Sequence, residues 1–239
     1  MVSHAKTLAI SLGLLVSLAA CTTVSPPSGN VLKPNTAWVY SSKGWADEAK
    51  TVYVSAADYV TEKHVEYLPE SWAVIMDLDE TVLNNVIYQV EREQRGEAYS
   101  AESWYEWTQK ENATLVPGAR EFIKTVNDLG GHVAFVTNRS DKEQLATENN
   151  LSKLNLKRNT DFRILLTRAS PKGERDKSDR FEIVPELLEV QGYPNVKTIA
   201  FIGDNIGDQP NTIGDYRFFC IDQGAMYGEP CAKVPGPGE

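Results

Sequence analysis

The chain has 239 residues, 41% of them hydrophobic, enough for one medium domain with a real core. A formal net charge of −9 argues against a nucleic-acid polymer as partner, because no basic face compensates for the phosphate backbone. The three histidines, His4, His64 and His132, lack metal-ligand spacing, which argues against a zinc or binuclear histidine centre. Any metal should be a hard cation on oxygen ligands, with Mg2+ as the default.

Lys6 gives a weak positive start, and Leu8 to Ala20 form an apolar run too short to span a membrane stably. The run ends Leu18-Ala19-Ala20-Cys21, which resembles a bacterial lipobox. That resemblance implies a signal peptide over residues 1–20 and a lipid on Cys21. Thr22 stands where an inner-membrane retention signal would have Asp, which implies an outer-membrane lipoprotein facing the periplasm or the cell surface. Residues 21–36 read as a flexible Ser/Pro/Gly tether, and residues 37–70 as an N-terminal helical segment. Ala49, Val52, Tyr53, Ala56, Ala57 and Val60 recur there at helical spacing, predicting an amphipathic helix from Trp45 to about His64.

A core domain is expected over residues 71–230, with a tail at 231–239. Trp72-Ala73-Val74-Ile75-Met76 reads as a strand buried on both faces, running into Asp77-Leu78-Asp79-Glu80-Thr81-Val82-Leu83. Residues 84–115 are polar and aromatic, with Tyr88, Tyr99, Trp104, Tyr105 and Trp107; they predict a strandless helical cap insertion over the sheet's carboxyl edge. Val116-Pro117-Gly118 opens a helix with Pro in its first turn, closed by Gly130-Gly131. Val133 to Val136 is a second strand, delivering Thr137-Asn138-Arg139, and Ser140 with Glu143 forms a capping-box pattern. Phe162 to Leu166 is a third strand. Ser178 to Gln191 is a helix that Pro185 should kink or split. Thr198 to Ile202 is a fourth strand ending in Gly203-Asp204, and Arg217 to Ile221 a fifth. The alternation predicts an α/β fold with a parallel sheet and right-handed crossovers.

Ligands of such sheets bind at the carboxyl ends of the strands. A phosphoryl-transfer site follows there. Asp77 would be the nucleophile and Asp79 the general acid and base, held near a partner that keeps it protonated. Thr137 and Asn138 would bind phosphate oxygens, and Lys177 would supply positive charge, with Lys172 as its competitor. Asp77, Asp204 and the backbone carbonyl of Asp79 would hold Mg2+.

The motif from Asp77 to Leu83 resembles the first motif of the haloacid dehalogenase (HAD) superfamily, whose fold is a Rossmannoid parallel sheet flanked by helices. Here the N-terminal helix and the insertion would form a small helical subdomain. With Asn85, Tyr88, Val116-Pro117-Gly118-Ala119, Val136-Thr137-Asn138-Arg139, Lys177-Ser178 and Gly203-Asp204-Asn205, the chain is similar to bacterial class C nonspecific acid phosphatases. The resemblance implies a lipid-anchored, Mg2+-dependent phosphomonoesterase of broad substrates, 5′-nucleotides included, acting through an aspartyl phosphate. It makes Asp208 a supporting carboxylate, and it suggests Trp107 and Tyr227 as the aromatic clamp on the substrate's ring. Gly207 replaces an acidic residue that the family usually has, and Glu229-Pro230 replaces an aromatic after Tyr227-Gly228. Competing readings are a narrow 5′-nucleotidase, a phosphotransferase, and a non-catalytic surface lipoprotein on the same scaffold. Cys220 and Cys231 are an even pair that an oxidising compartment would permit to form a disulfide, with two free thiols as the alternative. The sequence does not set the oligomeric state, a homodimer being one candidate.

Overall fold

The computed structural model describes residues 31–169, 175–224, 226, 227 and 231. The signal segment, Cys21, Lys172 and most of the tail lie outside them. Five parallel strands form the sheet: β1 Trp72–Met76, β4 His132–Ser140, β5 Ile164–Arg168, β6 Lys197–Gly203 and β7 Arg217–Cys220, in the order β5-β4-β1-β6-β7. The apolar run of β1 fits this central place, since each of its residues is at most 1% exposed. Its side chains alternate between two cores. Trp72, Val74 and Met76 face one that also holds residues of α2 (Lys43–Lys63) and α5 (Ala119–Asp128). Ala73 and Ile75 face a smaller one covered by α7 (Ser178–Val190).

The predicted strands are all present, with boundaries shifted by a few residues. Four local expectations are corrected. Helix α1 (Pro34–Ser41) takes the last residues of the expected tether, because Pro34 pre-sets the backbone of a first helical turn and Thr36 and Val39 bury themselves. Residues 84–115 are not strandless: β2 (Leu83–Asn84) and β3 (Thr114–Leu115) pair antiparallel and pin the two ends of the insertion together. Pro117 precedes α5 rather than entering it, since Gly118, at φ 96, is the residue before the first turn. Pro185 does not split α7, in which Phe181, Val184 and Leu188 hold both halves against the sheet while only the Phe181 carbonyl loses its usual donor.

Within the insertion lie α3 (Val86–Arg95) and α4 (Ala101–Gln109). The Ser140–Glu143 capping box forms on a short 3-10 turn that leads into α6 (Gln144–Lys153). A disulfide joins Cys220 to Cys231. Among the described residues, no helix is long and apolar enough to cross a membrane.

Candidate active site

The strand order puts β4 and β6 on either side of β1, so their carboxyl ends adjoin where the chain switches direction across the sheet. Asp77 leaves β1 with its N–H on the Ile202 carbonyl of β6, 2.9 Å away. The chain then turns sharply. The Leu78 carbonyl accepts from Val82 at 2.9 Å and Leu83 at 2.7 Å, while Glu80 takes a left-handed φ of 62. Such a conformation costs a non-glycine residue about 1 kcal/mol, and the paired backbone of the loop supports it. Tyr53 of α2 donates its hydroxyl to the Thr81 carbonyl at 2.6 Å, fastening the loop from below.

Lys177, just before α7, is 3% exposed and sits between two carboxylates, donating to Asp77 Oδ1 and, at 2.6 Å, to Asp208 Oδ1. Asp208 also receives the backbone N–H groups of Asp204 at 3.2 Å and Asn205 at 3.0 Å on its other oxygen. Gly203 makes this fit possible, since a Cβ there would occupy the space of the Asp208 side chain. Asp77, Asp204 and Asp208 can each bring an oxygen within 4.8 Å of the others, and all three are buried. Three carboxylates therefore face one ammonium. Burial pushes the Asp77 carboxyl up to about 7 despite Lys177, with Asp208 and Asp79 adding to the rise. Burial, Asp208 and Asp77 likewise hold Asp204 well above the usual carboxylate range. Burial alone would lower Lys177, but Asp77 and Asp208 outweigh it and hold the ammonium above its ordinary value. This surplus of buried negative charge suits a divalent cation on hard oxygen ligands.

A measurable consequence follows for the metal-free protein. An Asp77 carboxyl raised from 3.8 to about 7 binds its proton more tightly folded than unfolded. Its stabilising contribution is full below the unfolded value and is lost as pH rises through the folded one. Melting temperature in EDTA should therefore fall between about pH 4 and pH 7, by several degrees, and excess Mg2+ should flatten the curve. A profile in EDTA that rises over this window would show that Asp77 is not strained by its neighbours.

Asp79 does not have the neighbour expected for it. Its partner is the Arg139 guanidinium at 2.7 Å. Thr137 is fully buried, with its Oγ1 accepting from the Arg139 N–H at 3.1 Å, and a hydroxyl that accepts still has a proton to donate. The Asn138 amide donates to the Arg175 carbonyl at 3.0 Å, and its oxygen receives Arg180 Nη2 at 2.7 Å.

Except for Thr137, which is fully buried and does not line it, these groups open into a cleft of about 770 Å³. Asp77, Asp79, Asn138, Lys177, Asp204 and Asp208 all line it, as does Tyr227. Trp107 does not. It is 2% exposed, and its indole N–H is bound to Asn85 Oδ1 at 2.9 Å, so it packs the insertion instead of facing substrate. Tyr99, Trp104 and Tyr105 supply the insertion's aromatic wall. Arg139, Arg168 and Arg175 also line the cleft. Sequence reasoning gave these residues no role, and the signal for Arg139 was a cation at the end of a buried strand, two residues beyond Thr137.

Residues 25–230 match the family described as HAD superfamily, subfamily IIIB (acid phosphatase). The fold is similar to that of the class C acid phosphatase from Bacillus anthracis, at 21% identity and a TM-score of 0.66, covering 81% of this chain and 84% of that one. It is also similar to that of the Bacillus anthracis class C acid phosphatase with tungstate bound, at 20% identity and a TM-score of 0.64, with 81% and 84% covered. With a family match spanning most of its length, the chain belongs to the acid phosphatases of HAD subfamily IIIB.

Proposed function

We propose that this chain is a lipid-anchored, Mg2+-dependent acid phosphatase that hydrolyses small phosphomonoesters, 5′-nucleotides among them, through an aspartyl phosphate on Asp77. Phosphomonoester hydrolysis comes with the family. The assignment of steps is carried by one observation, the Lys177 ammonium seated between Asp77 and Asp208 beside Asp204.

Asp77 attacks phosphorus, so that a bond from its carboxylate oxygen forms as the ester bond breaks. Lys177 offsets the charge that builds on the phosphoryl oxygens, and Thr137 and Asn138 orient them. Asp79 gives a proton to the departing oxygen, then takes one from the water that attacks the acyl phosphate and frees Asp77. Asp77, Asp204 and the Asp79 carbonyl would hold Mg2+ with Asp208 alongside; bound there, the ion screens the repulsion between carboxylate and phosphate. The aromatic wall of Tyr99, Trp104 and Tyr105, with Tyr227, offers flat apolar surface to a ring on the leaving group. Anchoring through Cys21, and with it a place on the outer membrane, rests on the lipobox-like Leu18-Ala19-Ala20-Cys21.

The test is phosphate release at acidic pH by protein lacking residues up to Cys21, with Mg2+ and with EDTA, on 5′-nucleotides, sugar phosphates and an aryl phosphate. Release from the whole panel with Mg2+, abolished by EDTA, is expected. Activity confined to nucleotides would mean a narrow nucleotidase, and none from folded, Mg2+-loaded protein would overturn the enzyme reading.

A further inference from the structure

Asp79 is held asymmetrically. Its Oδ1 receives three donors: Arg139 Nη2 at 2.7 Å, Arg139 Nε at 3.0 Å and Asn85 Nδ2 at 2.9 Å. Among the described residues its Oδ2 has one, the same Nε at 3.1 Å. The Asp79 side chain is 21% exposed and lines the cleft, whereas that of Arg139 is 1% exposed. The holders are themselves held. Arg139 Nη1 donates to Thr147 Oγ1 of α6 at 3.1 Å, and that hydroxyl donates to the Glu143 carbonyl at 2.8 Å. Asn85 Oδ1 takes the Trp107 indole N–H at 2.9 Å and Arg139 Nη2 at 3.3 Å, so its amide is fixed with Nδ2 toward Asp79. The Trp104 ring lies over the guanidinium, 5.6 Å from its carbon.

We infer that Arg139 is a positioning residue, which with Asn85 occupies Oδ1 of Asp79 and presents Oδ2 as the oxygen that exchanges a proton with the leaving group and with water. This rests on the reading of Asp79 as acid and base. A carboxylate has about four acceptor sites, two on each oxygen; Arg139 Nη2 and Asn85 Nδ2 fill those of Oδ1, while the single Nε hydrogen is shared between the two oxygens. Oδ2 keeps the lone pair that can bear a proton, and the planar fork behind it sets its direction. A lysine would supply the charge at one point and not the plane. The arrangement also gives Trp107 a use: from inside the insertion it fixes the amide that fixes Asp79.

The experiment compares kcat and KM for an aryl phosphate, whose leaving group departs without help, with those for an alkyl phosphate, whose leaving group needs a proton. Asp79→Asn should lower kcat/KM, which reports the step before the shared aspartyl phosphate is hydrolysed, about 100-fold more on the alkyl ester than on the aryl ester. Arg139→Lys should show the same bias at about tenfold, with KM nearly unchanged, and Arg139→Gln a larger one. A bias in Asp79→Asn together with equal losses on both esters in Arg139→Lys, or a change confined to KM, would overturn the inference and leave Arg139 a packing or binding residue. No bias in Asp79→Asn would instead refute the role of Asp79, and the inference would fall with it. Should Arg139→Lys fail to fold by circular dichroism, Thr147→Val takes its place, since it removes the brace on Nη1 and, besides that, the hydroxyl's bond to the Glu143 carbonyl. About a threefold bias on the alkyl ester is expected there, and equal losses would count against the inference.

Discussion

Asparagine in place of Asp77 should abolish turnover, lowering kcat by at least about 10⁴-fold on every ester, aryl phosphates included. An amide oxygen can still accept from Lys177, so the pocket keeps its shape, but it cannot form the acyl phosphate. Because Asp77 is a strained, buried carboxylate, the variant should melt no lower than the parent in EDTA. Acid quenching of the parent during turnover should yield a peptide containing Asp77 that is heavier by one phosphoryl group, and the variant should yield none. Retention of more than about 1% of the parent rate would move the nucleophile elsewhere.

Lys177→Ala should damage both rate and fold. Its ammonium is the only group in ion-pair contact with Asp77 and Asp208 among the described residues. Without it, buried carboxylates face one another with nothing between them. Breaking a buried pair by removing one partner costs about 3–5 kcal/mol, so the melting temperature in EDTA should fall by many degrees. Mg2+ should recover part of that loss, because it can neutralise the same carboxylates. The rate should drop about 10³-fold even with saturating Mg2+. Lys177→Arg should rescue neither property, because a planar fork cannot occupy the narrow space between the two carboxylates at 3% exposure. Full recovery of rate by Mg2+ would mean that Lys177 serves the fold and not the reaction.

The elements that carry this chemistry were legible because they follow from short-range rules. An apolar run such as Ala73-Val74-Ile75, two of its residues β-branched, predicts a buried strand, and an acidic residue after it has to emerge at the carboxyl edge. Parallel strands put Asp77 and Asp204 at the same edge of the sheet, but the order that makes β1 and β6 neighbours comes from the structure. What stayed hidden depends on long-range packing. Trp104 and Trp107 are one turn apart on α4, and composition does not tell which indole meets the cleft and which meets Asn85. The partner of Asp79 comes from 60 residues further on, so no local pattern named Arg139. The β2–β3 pair is two residues on each side, too short for any periodicity to register.

The same α2 that supports the catalytic loop through Tyr53 also reaches the far end of the chain, where the Trp45 indole donates to the Asp222 carbonyl at 2.9 Å. One helix thus clasps both the first motif and the segment that follows the last strand. The smallest transplantable unit accordingly begins no later than Ser42, which caps α2, and not at Trp72. A fragment cut at the foot of β1 would contain every reactive side chain, yet would lack the hydroxyl under Thr81 and the indole that moors residue 222. Grafts of this site onto other scaffolds would have to reproduce those two anchors as well as the aspartates.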